Sequence, residues 1–429
     1  MKKFFALLLV AVMAISLVAC GGGTEEKGSV YWLNFKPESD AVLKEIAQMY
    51  TEETGIVVKV DTAASGTYNE RLTSDMDKGE DAPTIFVVGN AAAVAQWGED
   101  CYDLTDTAVA KELNDSSYML KDADGKLCSI GYCYECYGII VNTKLLEAAG
   151  YAKDHIKNFA TLKEVAEDVH KRAAELGFDA FSAADMDDSS SWRFTGHLAN
   201  LEYYYESVDD PDAWKTCPAE IKGTYMDNYK ALYDLMCVNS ATPRADLANG
   251  GHDAAGEFKA GKALFYANGN WEWSGLEEAG MKAEDLTMIP YYCGVEGEEK
   301  AGLNCGTENY WAVNANASEA DIKATLDFMY WLVTDKEASE KAVGTFGVMP
   351  YTNAVASTNP FLAQASAYAS AGNYTMPWVT NFQPNVDQYR AALVSALNAY
   401  NADPTDANWD SVEAAFVGGW ATQYAAANQ

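Results

Sequence analysis

The chain has 429 residues, 49% of them hydrophobic, and Asp plus Glu at 63 against Lys plus Arg at 30 give a formal net charge of −33. A field this negative repels nucleic acid and anionic lipid surfaces, so the partners it leaves are neutral or cationic. Roughly four hundred residues beyond the first segment exceed what one small core needs and suffice for two domains with buried interiors.

Lys2 and Lys3 precede an apolar run from Phe4 through Ile15, the pattern of a secretory signal. The run stops at Leu17-Val18-Ala19-Cys20, which resembles the lipobox of bacterial lipoproteins, and a flexible leash, Gly21-Gly22-Gly23-Thr24-Glu25-Glu26-Lys27, follows. Residues 1–19 are then a signal peptide, 20–28 a tether, and Cys20 the acylated first residue, held by more than one acyl chain as lasting attachment requires. The alternative is a transmembrane start, for which the run is short.

From Ser29 onward, strand-like and helix-like stretches alternate, which predicts a layered α/β body with a mainly parallel sheet. Val30–Phe35 reads as a strand, followed by a helix from Ser39 or Asp40 with Leu43, Ile46 and Tyr50 on one face and Gly55 at its end. Residues 56–60, 85–88 and 139–141 read as further strands. Thr161 to Glu164 reads as a capping box for a helix closed by Gly177. Another helix carries Met226, Tyr229, Leu232, Tyr233 and Met236, and later ones start at Ser318 and Thr334, the last ending at Gly344. No repeat or proline-rich linker divides the chain, so two domains must be joined by crossing strands.

Eight cysteines follow Cys20, and their scattered spacing specifies no disulfide framework. Cys133-Tyr134-Glu135-Cys136 lies in a β-prone run, where residues three apart point to opposite faces, so one metal or one disulfide fits poorly. Buried thiols are the preferred reading. The four histidines, His155, His170, His197 and His252, show no zinc-protease spacing; there is no Gly-x-Ser-x-Gly elbow and no phosphate-binding glycine loop. No metal and no cofactor are expected.

Four local patterns, in order and spacing, resemble the extracellular solute-binding proteins of carbohydrate importers, the maltose-binding-protein-like family. They are Tyr50 to Val60, Asp81 to Asn90, Tyr137 to Leu145, and Ala255 to Phe265 with Gly269-Asn270-Trp271. The resemblance implies a two-lobed periplasmic-binding-protein-like (type II) α/β fold with a ligand cleft between lobes. It assigns 29–142 and 302–345 to the N-terminal lobe, and 143–301 and 346–429 to the C-terminal lobe. It also implies capture of an oligosaccharide outside the cell membrane, by a lipid-anchored monomer, and delivery to the permease of an ATP-driven (ABC) importer.

A neutral oligosaccharide offers C–H faces for aromatic rings and hydroxyls for carboxylates, amides or lysine. On composition Trp271 reads as core, whereas its signature makes it a sugar platform. By the same resemblance Lys36 and Trp32 belong to the first ligand loop, although Trp32 could equally be core. Thr67 and Tyr68 belong to the second loop, and Asn90 stands where relatives often carry a carboxylate. Glu135 matches a sugar-binding glutamate, with a buried ion pair as its alternative. Glu308 is expected to face the cleft, Trp192 or Arg193 to reach its rim, and Trp378 matches only the region of a last stacking ring. Two other readings exist: a secreted glycoside hydrolase, for which no paired-carboxylate motif is present, and a lipid-anchored carbohydrate-binding adhesin, which would be all-β.

Overall fold

A computed structural model describes residues 27–64, 67–187 and 190–428. The expected signal peptide, Cys20 and all of the expected 20–28 tether except Lys27 and Gly28 lie outside the described residues. Among the described residues there are twelve strands: β1 (Ser29–Asn34), β2 (Val57–Thr62), β3 (Ile85–Val87), β4 (Met119–Lys121), β5 (Leu127–Gly131), β6 (Glu135–Asn142), β7 (Asp179–Phe181), β8 (Ala263–Gly269), β9 (Leu286–Ile289), β10 (Ala301–Gly306), β11 (Tyr310–Val313) and β12 (Tyr374–Met376).

They form two sheets. The first runs in the order β2-β1-β3-β11-β5-β4, the second β12-β10-β6-β8-β7 with β9 also on β6. In the first sheet β1 is parallel to both β2 and β3, and β11 runs against β3. In the second, β6 is antiparallel to β8, β9 and β10, so it alone runs against the rest. Helices cover the sheets, giving the expected α/β class. The expectation of a mainly parallel sheet is corrected: among the described residues antiparallel pairings outnumber parallel ones, because β6 runs against all its neighbours and β11, β5 and β4 pair antiparallel in the first sheet.

The central strands are buried on both faces, as sheets covered by helices on both sides require. Ile85, Phe86 and Val87 are all buried, and so is every residue of β6 and β8. Each sheet has its own core. Trp32, Trp311, Phe328 and Phe346 anchor the first, and Tyr203, Tyr229, Tyr389, Phe416 and Trp420 the second.

The passages between lobes differ from those expected. β6 and β10 pair with each other inside the second sheet, so the chain crosses at 132–134 and 307–309 rather than at 142 and 302. The helix Lys336–Phe346 and then Met349 and Tyr351 still pack in the first core, so the third passage comes later than 345. The crossings lie side by side: the Tyr134 N–H donates to the Val348 carbonyl at 2.7 Å, and the Tyr132 N–H to that of Asn309 at 3.0 Å.

Helix ends follow local chemistry. Gly55 and Gly177 close their helices in the left-handed conformation, at φ 73° and 82°. Ser318 caps the helix Glu319–Thr334 by accepting from the Asp321 N–H. Two caps are shifted from expectation. Asn158, not Thr161, caps the helix Phe159–Lys171, and Thr161 is the residue that reaches back to it. Asp335 caps Lys336–Phe346, which runs past Gly344.

Candidate functional site

Open α/β sheets bind ligands beyond the carboxyl ends of their parallel strands, and most of the expected residues follow such ends. Lys36 follows β1, Thr67 and Tyr68 follow β2, and Asn90 follows β3. From the other lobe Trp271 follows β8 and Trp378 follows β12, while Glu308 lies in the crossing after β10.

Lys36 and Glu135 meet at the base of the crevice. Lys36 Nζ is 2.7 Å from Glu135 Oε1 and 2.9 Å from Glu38 Oε1, and both Lys36 and Glu135 are buried. Asn309 Nδ2 donates to the second Glu135 oxygen at 3.1 Å, and Tyr132 Oη donates to Asn309 Oδ1 at 3.2 Å. A buried charge persists only when so paired. Burial works to lower the Lys36 ammonium, but the charges of Glu135 and Glu38 outweigh it and hold the group well above its ordinary value. Burial pushes the Glu135 carboxyl up, with Lys36 opposing. The chain of contacts ties the first lobe to two of the three crossings.

The facing wall is aromatic. Trp271 is half-buried, with its ring 5.5 Å from His197 and 6.2 Å from Trp192. His197 stacks flat on Tyr137 at 3.8 Å and lies 6.2 Å from Trp378. Lys36 Nζ lies 5.7 Å over the Trp271 ring, so the base and the wall are continuous. Two glycines make room for these rings. A Cβ on Gly269 would stand 2.2 Å from Trp271 and one on Gly306 2.9 Å from Trp378. The glycine before Trp271 is thus a packing requirement of the ring.

Trp192 and His197 are presented by an unusual turn, the π-helix Arg193–Leu198 that opens the helix Ala199–Asp209. Such turns release carbonyls from the helical ladder, and here side chains take them. Tyr229 Oη donates to the Phe194 carbonyl, Gln383 Nε2 to that of Thr195 and Tyr137 Oη to that of His197. Burial, and then Arg390 and Arg193, hold the His197 imidazole well below its ordinary value, so the ring stays neutral.

The lobes touch across the crevice. Asn69 Nδ2 donates to Asp387 Oδ2 at 3.1 Å, and the helix Ala91–Trp97 lies against the turn Val379–Phe382. Among the described residues no cluster of three or more His, Cys, Asp or Glu could hold a metal, and no helix is long and apolar enough to cross a membrane.

Residues 45–370 match a family described as bacterial extracellular solute-binding protein. The chain belongs to that family. This solute-binding protein is also similar in fold to solved structures at low identity. RafE in complex with raffinose aligns at TM-score 0.68 and 17% identity over 90% of this chain and 98% of that one. Maltose-bound MalE3 of T. maritima gives 0.65 and 18% over 90% and 98%. A sugar transporter of Bacillus licheniformis in complex with stachyose gives 0.67 and 15% over 92% and 99%. No curated protein matches the chain.

The expected residues divide into two groups. Lys36, Asn90, Glu135, Trp192, Trp271, Glu308 and Trp378 gather around the crevice of the solute-binding protein. Asn90 Oδ1 caps the helix Ala91–Trp97, which leaves its amide N–H groups to donate elsewhere. Glu308 is half-buried, and its carboxylate has no hydrogen-bond partner among the described residues. Trp378 is buried, and its indole N–H is unpaired. Three expectations are corrected, those for Trp32, Tyr68 and Arg193. Trp32 is a core residue, 0% exposed and packed edge-on against Trp311 and Phe328. Tyr68 is buried with its hydroxyl spent: it donates to the Leu33 carbonyl and accepts from the Val87 N–H, fastening β1 to β3. Thr67, half-buried, donates its Oγ1–H to the Ala64 carbonyl and keeps the oxygen as an acceptor. Arg193 lies under the wall, donating to the Ala267 carbonyl and Ser190 Oγ, with the Trp192 ring 4.3 Å away.

Sequence reasoning missed His197, Glu38 and Asn309 as site residues. His197 and Asn309 stood within segments singled out for neighbouring residues. Nothing in the sequence marked the turn that turns His197 into the crevice.

Proposed function

We propose that this solute-binding protein captures a neutral oligosaccharide outside the cell membrane and passes it to the permease of an ATP-driven importer. The observation that carries this reading is the grouping of the aromatic rings Trp192, His197, Trp271 and Trp378 of the second lobe with the polar groups of Lys36 and Glu135, where Lys36 Nζ lies 5.7 Å over the Trp271 ring. Flat neutral rings take the C–H faces of sugars, while carboxylates, amides and an ammonium take their hydroxyls. The raffinose, maltose and stachyose bound by proteins of like fold support the same ligand class.

Micromolar capture corresponds to roughly 8 kcal/mol. At about 25 cal/mol per Å² of apolar surface covered, two or three stacked rings contribute much of the gross gain. Hydroxyl contacts then decide which sugar is accepted. Closure acts as the signal if sugar binds the closed form more tightly than the open one.

In this proposal the protein is a monomeric receptor that does not turn its ligand over, anchored through acylated Cys20 on the extracytoplasmic face. A glycosidase needs an acid and a second carboxylate astride a scissile bond. The buried Glu135 is instead neutralised by Lys36 and held by Asn309, which suits binding. Calorimetric titration against raffinose-, maltose- and stachyose-type oligosaccharides tests the reading. Saturable one-site binding with the sugar recovered intact is expected; shorter products after incubation would make the protein an enzyme. Mass analysis of the mature N-terminus tests the anchor: an acylated Cys20 is expected, and an unmodified chain beginning elsewhere would remove it.

A further inference from the structure

The eight cysteines among the described residues are all free thiols. Strand register nevertheless brings two of them face to face: Cys136 of β6 is the direct cross-strand partner of Cys305 of β10 in an antiparallel pair. Directly opposed residues of such a pair project from the same side of the sheet, and both thiols belong to one small core with Ile140, Phe258 and Phe361. Opposed α-carbons in an antiparallel ladder lie about 4.5 or 5.5 Å apart, according to the type of pair. Either separation falls inside the range of about 4.4–6.8 Å that a disulfide spans. Cys133, three residues earlier, belongs to the other core and sits against Thr307 Oγ1, so it does not compete for Cys136.

We propose that Cys136 and Cys305 are a redox-modification site, closing to a disulfide when the exported protein meets a small-molecule disulfide. Cys305 reacts first. Its thiol is pushed up by burial to about 11, with Tyr134 opposing, whereas burial holds the Cys136 thiol well above its ordinary value. Cys305 is also the less enclosed of the two, at 6% exposure against 0%. The Cys305 thiolate attacks one sulfur of the small disulfide and expels one small thiolate. Cys136 then loses its proton to water and attacks the Cys305 sulfur of the mixed disulfide, expelling the second small thiol. The protein is oxidised by two electrons and the small disulfide reduced by two.

The bond has a structural consequence because of where it falls. The neighbouring register pair is Glu135 with Gly306, and the two strands run directly into the crossings at 132–134 and 307–309. A disulfide there staples the roots of two inter-lobe passages beside the Lys36–Glu135 ion pair, and it closes a long loop of chain, which restricts the unfolded state.

The test uses the mature protein treated with oxidised glutathione or with a phosphine reductant, followed by alkylation of remaining thiols and non-reducing peptide mapping. The expected result is a peptide pair joined through Cys136 and Cys305, a raised melting temperature in the oxidised form, and reversal by the reductant. Cys101 and Cys128 are also neighbours in the first lobe, so the map must distinguish the pairs. A bond confined to Cys101 and Cys128, or full alkylation of Cys136 and Cys305 after oxidation, overturns the proposal. Cys305→Ser should abolish both the linked peptide and the shift in melting temperature, whereas Cys133→Ser should keep both. Because the mapping is done on the unsubstituted chain, the result stands even if a serine variant fails to fold.

Discussion

Two tryptophans, both candidates for the ligand site, have opposite surroundings, and the difference makes a direct prediction. Trp271 is half-buried on the crevice wall, its neighbours being His197, Trp192 and the Lys36 ammonium. Trp271→Ala is expected to weaken oligosaccharide binding at least tenfold, about 1.4 kcal/mol, with little change in melting temperature; calorimetry and a thermal melt check both halves. Trp32 has no exposure and touches Tyr132, Trp311, Phe328 and Phe346. Trp32→Ala should cost about 3–5 kcal/mol of stability, read as a drop in denaturant midpoint. The Lys36–Glu135 pair makes a third residue-scale case. Lys36→Met alone leaves Glu135 as an uncompensated buried charge and should cost about 3–5 kcal/mol. Lys36→Met with Glu135→Leu should recover most of that loss while still binding sugar poorly. A double variant as unstable as the single one would mean the pair supports the fold rather than the site.

Elements were legible where one local signal dominated. The β-branched run through Val57, Val58 and Val60, the glycine at 55 and the serine at 318 each mark what they form. The caps at Asn158 and Asp335 were displaced because Thr161 and Thr334 offer an equally good local signal, and only packing chooses between them. The crossing at Tyr132-Cys133-Tyr134 was hidden because it carries the same buried, β-prone residue types as the strands on either side. Trp32 was ambiguous for a related reason, since a strand next to a ligand loop has one face in the core and its end at the cleft. The π-turn at 193–198 depends on partners as distant as Tyr229 and Gln383, which no local window contains.

The helix that follows that turn carries an element-scale prediction. Glu202 is 0% exposed, and its carboxyl lies beside that of Glu206. Burial, and then the neighbouring Glu206, push its carboxyl up from 4.5 to about 9. The folded protein therefore keeps a proton that the unfolded chain releases above about pH 4.5. This contribution to stability is complete below that pH and is lost progressively as pH rises through about 9. Melting temperature should accordingly fall across this window. Glu202→Gln, neutral throughout, should flatten the profile and be the more stable form at about pH 8.5. An unchanged slope would show that Glu202 is not the group responsible.

On the scale of the whole molecule, the two lobes have separate cores, joined by three passages of chain and by contacts between them. Asn69 to Asp387 and the Ala91–Trp97 helix against Val379–Phe382 are among them. Relative motion is the default expectation for two domains with separate cores. Ligand supplies the missing closure energy only if both walls touch it, because a molecule bound to one lobe alone shifts no equilibrium between open and closed. Small-angle X-ray scattering during titration with a saturating oligosaccharide reads this directly. Contraction of the radius of gyration that tracks calorimetric occupancy, and that is absent in Trp271→Ala at the same sugar concentration, is the predicted result. Full occupancy with no change in the radius of gyration would contradict it, because the sugar would then lie on one lobe without drawing the other onto it.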